Sequence, residues 1–150
     1  MVSSTTPCLK LAEKLASEGR TPEFIFNLQP SSPLRNAQDI VASWETLQAQ
    51  KADFLVSATP IDPHYFHWAL IEKNQSYAMY FGKEYLKERP LLPEVLRPNG
   101  AIKLARLDSV KETGNFFGPN LAVHIMPEER GIHVATAFDF LCAEAVFKSN

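Results

Sequence analysis

The sequence predicts an α/β protein whose sheet is at least partly parallel. Two observations support this prediction. A helical pattern leads into the apolar run at residues 24–28, as a helix leads into a strand. A second helical pattern connects that run to the apolar residues 54–56, and a strand, a helix and a strand within about 35 residues form a parallel crossover unit.

Composition is that of an ordinary globular protein. The chain has 150 residues, of which 45% are hydrophobic and 21% charged, so one domain is expected. A net charge of −2 gives no reason to expect nucleic acid or an anionic membrane as a partner. No leader-like start and no membrane-length apolar run are found, so a cytoplasmic location is predicted. Cys8 and Cys142 are expected to be free, buried thiols.

The run at residues 24–28 is typical of a short strand buried on both faces. Pro30 and Pro33 follow it and fix the backbone of the next loop. Ligands of open α/β sheets bind at the carboxyl ends of strands, so this loop is a candidate site. The polar side chains that it would hold in place are Gln29, Ser31, Ser32 and Arg35.

The helices on either side of this strand have recognisable ends. Thr6 stands as an N-cap before a proline, and Gly19 ends the first helix. Asn36 and Asp39 form a weaker relative of the capping box at the start of the second helix.

Residues 59–96 are rich in aromatic side chains and prolines. Residues 68–71 and 77–80 flank a turn-like tetrapeptide and predict a β-hairpin. Such an irregular, aromatic segment is expected to serve as a lid or an interface.

The last third predicts two strands and two helical segments. Strands are expected at residues 101–105 and 121–125, with a short helical turn at 107–111 between them. Thr136 and Asp139 have the spacing of a capping box before a closing helix. Its predicted buried side consists of Phe140, Leu141, Ala145 and either Val146 or Phe147.

Three segments carry a resemblance to a known family. They are LQPSSPLRNAQDI at residues 28–40, RPNGAI at 97–102 and MPEERGI at 126–132. The chain resembles the acylneuraminate cytidylyltransferases, or CMP-sialic acid synthetases, in which the corresponding segments read LQPTSPLR, RPNGAIY and a Met-Pro-like lead-in to Ile-Asp-Ile-Asp-Thr. The resemblance runs from about Ser3 to the end. It covers only the C-terminal part of the family's catalytic domain, and the N-terminal triphosphate-loop region is absent.

The resemblance implies a truncated, doubly wound, Rossmann-like fold over residues 1–150. Its sheet would be mostly parallel, with helices on both faces. The insertion at about 60–96 would be an arm exchanged between the two subunits of a homodimer. The family makes CMP-sialic acid from CTP and a nonulosonic acid, so an acidic sugar or a cytidine nucleotide is the implied ligand.

The resemblance also implies a set of site residues. Arg97 matches a residue near the acidic sugar, and Arg89 matches an arginine of the arm that reaches the sugar carboxylate across the dimer. A guanidinium suits that task because it grips a carboxylate with two hydrogen bonds. A solvated surface charge is the alternative for Arg89, and a bridge to loop backbone is the alternative for Gln29 and Asn99. The candidate sugar- or nucleotide-binding residues are Gln29, Ser31, Arg35, Arg89, Arg97 and Asn99.

No metal or cofactor is expected in this chain. In the family, two aspartates bind magnesium, but the alignment of the third segment puts His133 and Ala135 at those positions. Magnesium prefers hard oxygen ligands, which an imidazole and a methyl group do not supply. Zinc held by His64, His67 and His133 is disfavoured because no fourth ligand has matching spacing. No residue is assigned a catalytic role.

Three hypotheses follow. The preferred one is a catalytically inert, dimeric relative that keeps part of the sugar-side pocket. A second is an interaction protein or subunit, since the family strand that lies beside residues 24–28 is missing and would leave their edge open to another chain. The third is an active CMP-sugar synthetase.

Overall fold

The structure, a computed structural model, describes residues 5–149, apart from the side chains of Pro63, Phe66, Glu84 and Arg89. The helices are α1 (Thr5–Ser17), α2 (Ala37–Ala49), α3 (Pro63–His67), α4 (Leu107–Thr113) and α5 (Ala137–Ser149), with 3₁₀ turns at Glu84–Leu86, Arg89–Leu91 and Glu128–Gly131. The strands are β1 (Phe24–Asn27), β2 (Phe54–Ile61), β3 (Leu70–Lys73), β4 (Ser76–Met79), β5 (Val95–Arg106) and β6 (Leu121–Ile125).

Four strands form the main sheet in the order β1-β5-β2-β6. β2 and β6 are parallel, whereas β1 and β5 are antiparallel. β5 also runs opposite to β2, because Arg106 N–H donates to the Asp53 carbonyl while Ile102 N–H donates to Ser57 Oγ. The predicted α/β class is confirmed. The sheet is mixed rather than mostly parallel, since the long strand β5 enters between β1 and β2 from the opposite direction.

The chain divides into two compact units. One contains the main sheet and comprises the chain up to Thr59 and from Pro98 onward. The other is Pro60–Arg97, the interval in which the sequence predicts an insertion.

The predicted hairpin in the second unit is confirmed. β3 and β4 pair antiparallel, with Lys73 opposite Ser76. Asn74 and Gln75 form the turn with φ values of 54° and 62°. Two consecutive left-handed residues match the twist of the flanking strands, which explains the tight two-residue connection.

The core of the first unit lies on β2 and β5. Leu55 of β2 and Ala101, Ile102 and Leu104 of β5 are fully buried and pack in one cluster. Leu47 of α2 covers this cluster. These two strands occupy the middle of the sheet, so they hold the most deeply buried residues.

β1 is not buried on both faces, contrary to the prediction. It lies at the edge of the main sheet, and Asn27 is its one buried residue. Trp44 of α2 packs edge-on against Phe24, with ring centroids 4.9 Å apart. Phe26, two residues further along the strand, remains exposed. A strand with a neighbour on one side only cannot bury all of its apolar side chains.

Both predicted capping boxes are confirmed. Asp39 N–H donates to Asn36 Oδ1, and Asn36 N–H donates to Asp39 Oδ2. Asp139 N–H donates to Thr136 Oγ1, and Thr136 N–H donates to Asp139 Oδ2.

The predicted buried side of α5 is wrong. Ala143 is its one buried residue, whereas Phe140, Leu141 and Phe147 are each more than half exposed. The apolar residues of α5 encircle the helix instead of forming one stripe, so a single packing surface cannot cover them.

Cys8 and Cys142 are free thiols, as predicted, and each is half-buried. Among residues 5–149, no helix has both the length and the apolar character needed to cross a membrane.

A pair of leucines tests where the core lies. Leu47 is 1% exposed in α2 and Leu11 is 57% exposed in α1. We expect Leu47→Ala to lower the free energy of unfolding by about 2–5 kcal/mol through lost burial and a residual cavity. Leu11→Ala, the matched control, should change it by less than about 0.5 kcal/mol. Urea denaturation followed by circular dichroism measures both, and equal effects would contradict this description of the core.

Candidate functional site

The loop after β1 meets a segment from the far end of the chain. Ser31 Oγ lies 3.3 Å from His133 Nδ1, and Ser32 Oγ lies 3.5 Å from the same nitrogen. Val134 N–H donates to the Ser31 carbonyl over 2.7 Å, so backbone and side chains hold the two segments together. The imidazole of His133 therefore lies at the carboxyl end of β1, where the sequence predicts a site.

Gly100 closes this cluster from the β5 side. A Cβ atom at this position would lie 3.2 Å from Gln29 Oε1 and 3.5 Å from His133 Nδ1. Gly100 also has a φ of 75°, a left-handed conformation that glycine adopts without strain. The absence of a side chain therefore lets Gln29 and His133 approach the backbone of β5. We call Gln29, Ser31, Ser32, Gly100 and His133 the loop cluster.

Arg35 braces the loop cluster from within the protein. Its Nη1 donates to the Ala101 carbonyl over 2.6 Å and to the Gln29 carbonyl over 3.3 Å. These bonds tie the loop to β5, so the guanidinium has a structural task in addition to any contact with a ligand.

Asn99 bridges groups inside the protein. Its side chain is 2% exposed, and its Oδ1 accepts from Ser57 Oγ at 2.5 Å and from Ala101 N–H at 3.1 Å. Its Nδ2 contacts Met126 Sδ at 3.5 Å. This geometry matches the bridging role that was the alternative to ligand contact.

The two other candidate arginines belong to the second unit. Arg97 is exposed. Arg89 begins a 3₁₀ turn, and its side chain lies outside the described part of the structure. Their predicted sugar contacts therefore stay predictions.

A charge network surrounds the buried carboxylate of Asp39, and the sequence did not predict it. The Asp39 carboxylate, 2% exposed, accepts from Arg130 Nη2 at 2.9 Å and from Arg130 Nε at 3.3 Å. His124 Nε2 lies 3.4 Å from the same carboxylate. The spacing of Asn36 and Asp39 indicated a helix cap, but no local signal showed that the capping carboxylate also binds residues of a distant segment.

The network alters the ionisation of Asp39. Burial on its own would raise the pKa of this carboxyl, but the hydrogen bonds from Arg130, from Asn36 N–H and from His124 together lower it. Asp39 is therefore held as a carboxylate, and it anchors Arg130 just ahead of Gly131 and His133.

The residues at the implied magnesium positions do not fit that metal. His133 offers a nitrogen and Ala135 no donor, whereas magnesium prefers oxygen. The nearby Asp139 caps α5, and its Oδ2 accepts from Thr136 Oγ1 and Thr136 N–H, each at 2.8 Å, and from Ala135 N–H at 3.1 Å. These bonds lower the pKa of Asp139. In the described part of the chain, no three His, Cys, Asp or Glu side chains form a group that could hold a metal ion.

Comparison with known proteins gives a distant relative. No model of a known protein family matches the chain. The chain is similar to the post-translational flagellin modification protein B of Campylobacter coli, with 27% identity over 127 residues. The match covers 84% of this chain and 53% of the relative, so the chain spans about half the length of this relative.

Acid titration tests the Asp39 network. Because the folded-state pKa of Asp39 lies below the unfolded value of about 3.9, its stabilising effect is complete at neutral pH and is lost as the pH falls through these values. We expect Asp39→Asn to lower the free energy of unfolding at pH 7 by about 2–3 kcal/mol and to flatten its dependence on pH below 5.

Asp108→Asn is the control for this prediction. The ion pair of Asp108 with Lys111 is exposed, and such pairs contribute little. Denaturant unfolding at several pH values measures the free energy of unfolding of both variants. If Asp39→Asn kept the same pH dependence below pH 5 as the parent protein, the assigned role of Asp39 would be wrong.

Proposed function

We propose that this chain is a cytidylyltransferase-like protein of the nucleotidyltransferase family that binds an acidic sugar of the nonulosonic class. We further propose that the chain on its own does not transfer a nucleotidyl group. The observation that supports sugar binding best is the loop cluster, in which hydroxyl, amide and imidazole groups meet around Gly100 at the carboxyl end of β1.

The chemistry of the cluster suits a polyhydroxylated ligand. Ser31 and Gln29 are both partly accessible, and each can donate to and accept from a sugar hydroxyl. His133 adds a donor that can pair with a carboxylate. Arg35 holds the loop in place, so the groups are positioned before a ligand arrives and binding loses less entropy.

The same residues argue against nucleotidyl transfer. That reaction releases pyrophosphate, whose developing charge must be offset by a metal ion or by basic groups. His133 and Ala135 do not provide an oxygen site for magnesium, and the sequence of this chain has no glycine-rich loop that carries a lysine. The chain therefore keeps polar groups for a sugar while it lacks groups for the triphosphate.

The relative and the second unit support the remaining parts of the proposal. The relative is named for the post-translational modification of flagellin, and we extend a role in protein modification to this chain. The second unit exposes Tyr65, Trp68 and Tyr77 at 84%, 57% and 70%. Aromatic side chains are enriched at protein interfaces, so we assign this unit to contact with a second copy in a homodimer.

Ligand titration tests the sugar site. We expect N-acetylneuraminate to bind saturably in isothermal calorimetry, and Ser31→Ala to weaken that binding by about three- to tenfold through loss of one hydrogen bond. Ser17→Ala removes an exposed hydroxyl of α1 and should leave the affinity unchanged. A parallel assay with CTP, magnesium and the sugar, read by mass spectrometry, should give no CMP-sugar. Product above a protein-free control would contradict the inert assignment, and absence of sugar binding would contradict the retained site.

A double substitution tests why the chain would be inert. His133→Asp combined with Ala135→Asp places two carboxylates near Asp139, and we expect the variant to bind manganese, a spectroscopic substitute for magnesium, more tightly than the parent chain by about tenfold or more. Electron paramagnetic resonance of free manganese measures this difference. Equal affinity in the two proteins would mean that these positions do not control metal binding.

A second candidate function is an interaction protein, and one observation favours it. β1 has a strand neighbour on one side only within the described sheet. An open edge with exposed apolar residues such as Phe26 and Leu28 can pair with a strand from another chain. Amide hydrogen exchange at low and high protein concentration separates the two functions, because edge pairing between copies would protect β1 amides only at high concentration.

A further inference from the structure

A cavity of about 380 Å³ lies at the opposite end of the main sheet from the loop cluster. It opens beside the first residue of β1, the residue before β2 and the last residue of β5, which are Phe24, Asp53 and Arg106. The volume lies in the range of small-molecule pockets. Nothing in the proposed sugar site uses this cavity.

The inner part of the cavity is apolar and aromatic. Leu47 and Ala52 are buried and form its floor. Phe24 and Trp44 form a wall, with their rings perpendicular and 4.9 Å apart. Trp44 is 37% exposed, so part of its indole is accessible. A flat ring of similar size would pack on this wall and extend an existing aromatic pair.

The rim carries a cation that is in no ion pair with the residues that the structure describes. Lys51 follows α2 with a left-handed φ of 49°, and no described residue forms an ion pair with its ammonium group. Asp53 also lines the cavity, but its Oδ2 accepts from Asn120 Nδ2 at 3.1 Å and forms no ion pair with Lys51. Lys51 therefore brings to the mouth of the cavity a positive charge that is not held in an ion pair, although the carboxylates of Glu23 and Asp53 also line the cavity.

A second cation on the rim is weakly held. Arg106 Nη1 lies 3.1 Å from Glu23 Oε1, but both side chains are largely solvated, at 43% and 67% exposure. Exposed pairs of this kind contribute little, so an incoming anion can compete with Glu23 for the guanidinium. The carbon Cζ of Arg106 also lies 5.2 Å from the centre of the Phe24 ring, which keeps the guanidinium beside the aromatic wall.

We propose that this cavity is a binding site for a small molecule that carries one aromatic ring and one anionic group, either a carboxylate or a phosphate. The ring packs against Phe24 and Trp44 over the floor of Leu47 and Ala52. The anion pairs with Lys51 and, after displacement of Glu23, with Arg106. The site is separate from the loop cluster, so this proposal can be tested independently of the proposed sugar binding.

Tryptophan fluorescence gives a direct test. The sequence has two tryptophans, so Trp68→Phe leaves Trp44 as the one tryptophan in the full chain. The probes are phenyl phosphate and phenylacetate, which carry ring and anion, 2-phenylethanol, which carries the ring alone, and inorganic phosphate and acetate, which carry the anion alone. We expect a saturable change in Trp44 emission with a ring-bearing anion, and binding at least about tenfold weaker for 2-phenylethanol.

Charge variants complete the test. Lys51→Gln should weaken the binding of the ring-bearing anion by about tenfold and leave the binding of 2-phenylethanol unchanged. Lys51→Arg, which keeps the positive charge, should have most of the original affinity. Lys111→Gln, which removes an exposed lysine of α4, is the matched control and should have no effect. Thermal melting checks that each variant is folded. No saturable response to either ring-bearing anion overturns the proposal. Equal binding of the neutral alcohol, or an affinity that Lys51→Gln leaves unchanged, also overturns it. Whichever of phenyl phosphate and phenylacetate binds more tightly identifies the preferred anionic group.

Discussion

The buried carboxylate of Asp39 is the constraint on which the rest of the site depends. It caps α2, accepts two hydrogen bonds from Arg130 and lies against His124 of β6. A charge removed from water in this way is tolerated because it is paired with Arg130 and hydrogen-bonded by Asn36 N–H. The segment that carries His133 begins just after Arg130, so the position of the imidazole depends on a carboxylate that no ligand is expected to touch.

The main sheet brings together residues that lie far apart in the chain. Ser31 and His133 are separated by 102 positions, yet their side chains meet at the end of β1. Gly100 of β5 lies next to Gln29 and His133 and completes the cluster. The loop after β1, the segment that carries His133 and Gly100 of β5 therefore define the loop cluster, and the backbone hydrogen bond from Val134 N–H to the Ser31 carbonyl joins the first two. The side chains of Arg35 and Asp39 then fix these segments from outside the cluster.

Local chemistry made part of this structure predictable from the sequence. Asn36 and Thr136 predicted the starts of their helices, and residues 74 and 75 predicted the turn of the hairpin. Caps and turns are predictable because they depend on neighbours a few positions away. Gln29 and Ser31 were found from a strand end and two prolines. The antiparallel entry of β5, the partners of Asp39 and the exposure of α5 were not predictable, since each depends on segments that are distant in sequence and adjacent only after folding.

The second unit is inserted in the chain between Thr59 of β2 and Pro98 of β5, and these two strands are neighbours in the main sheet. The ends of this insertion are therefore fixed by β2 and β5, whatever lies between them. Loop-closure entropy grows only logarithmically, so doubling the length of such an insertion costs about 0.6 kcal/mol. Evolution can thus lengthen, shorten or replace the segment with little effect on the sheet. The exposed aromatic side chains of the second unit therefore lie on the part of the fold whose length and sequence the main sheet constrains least.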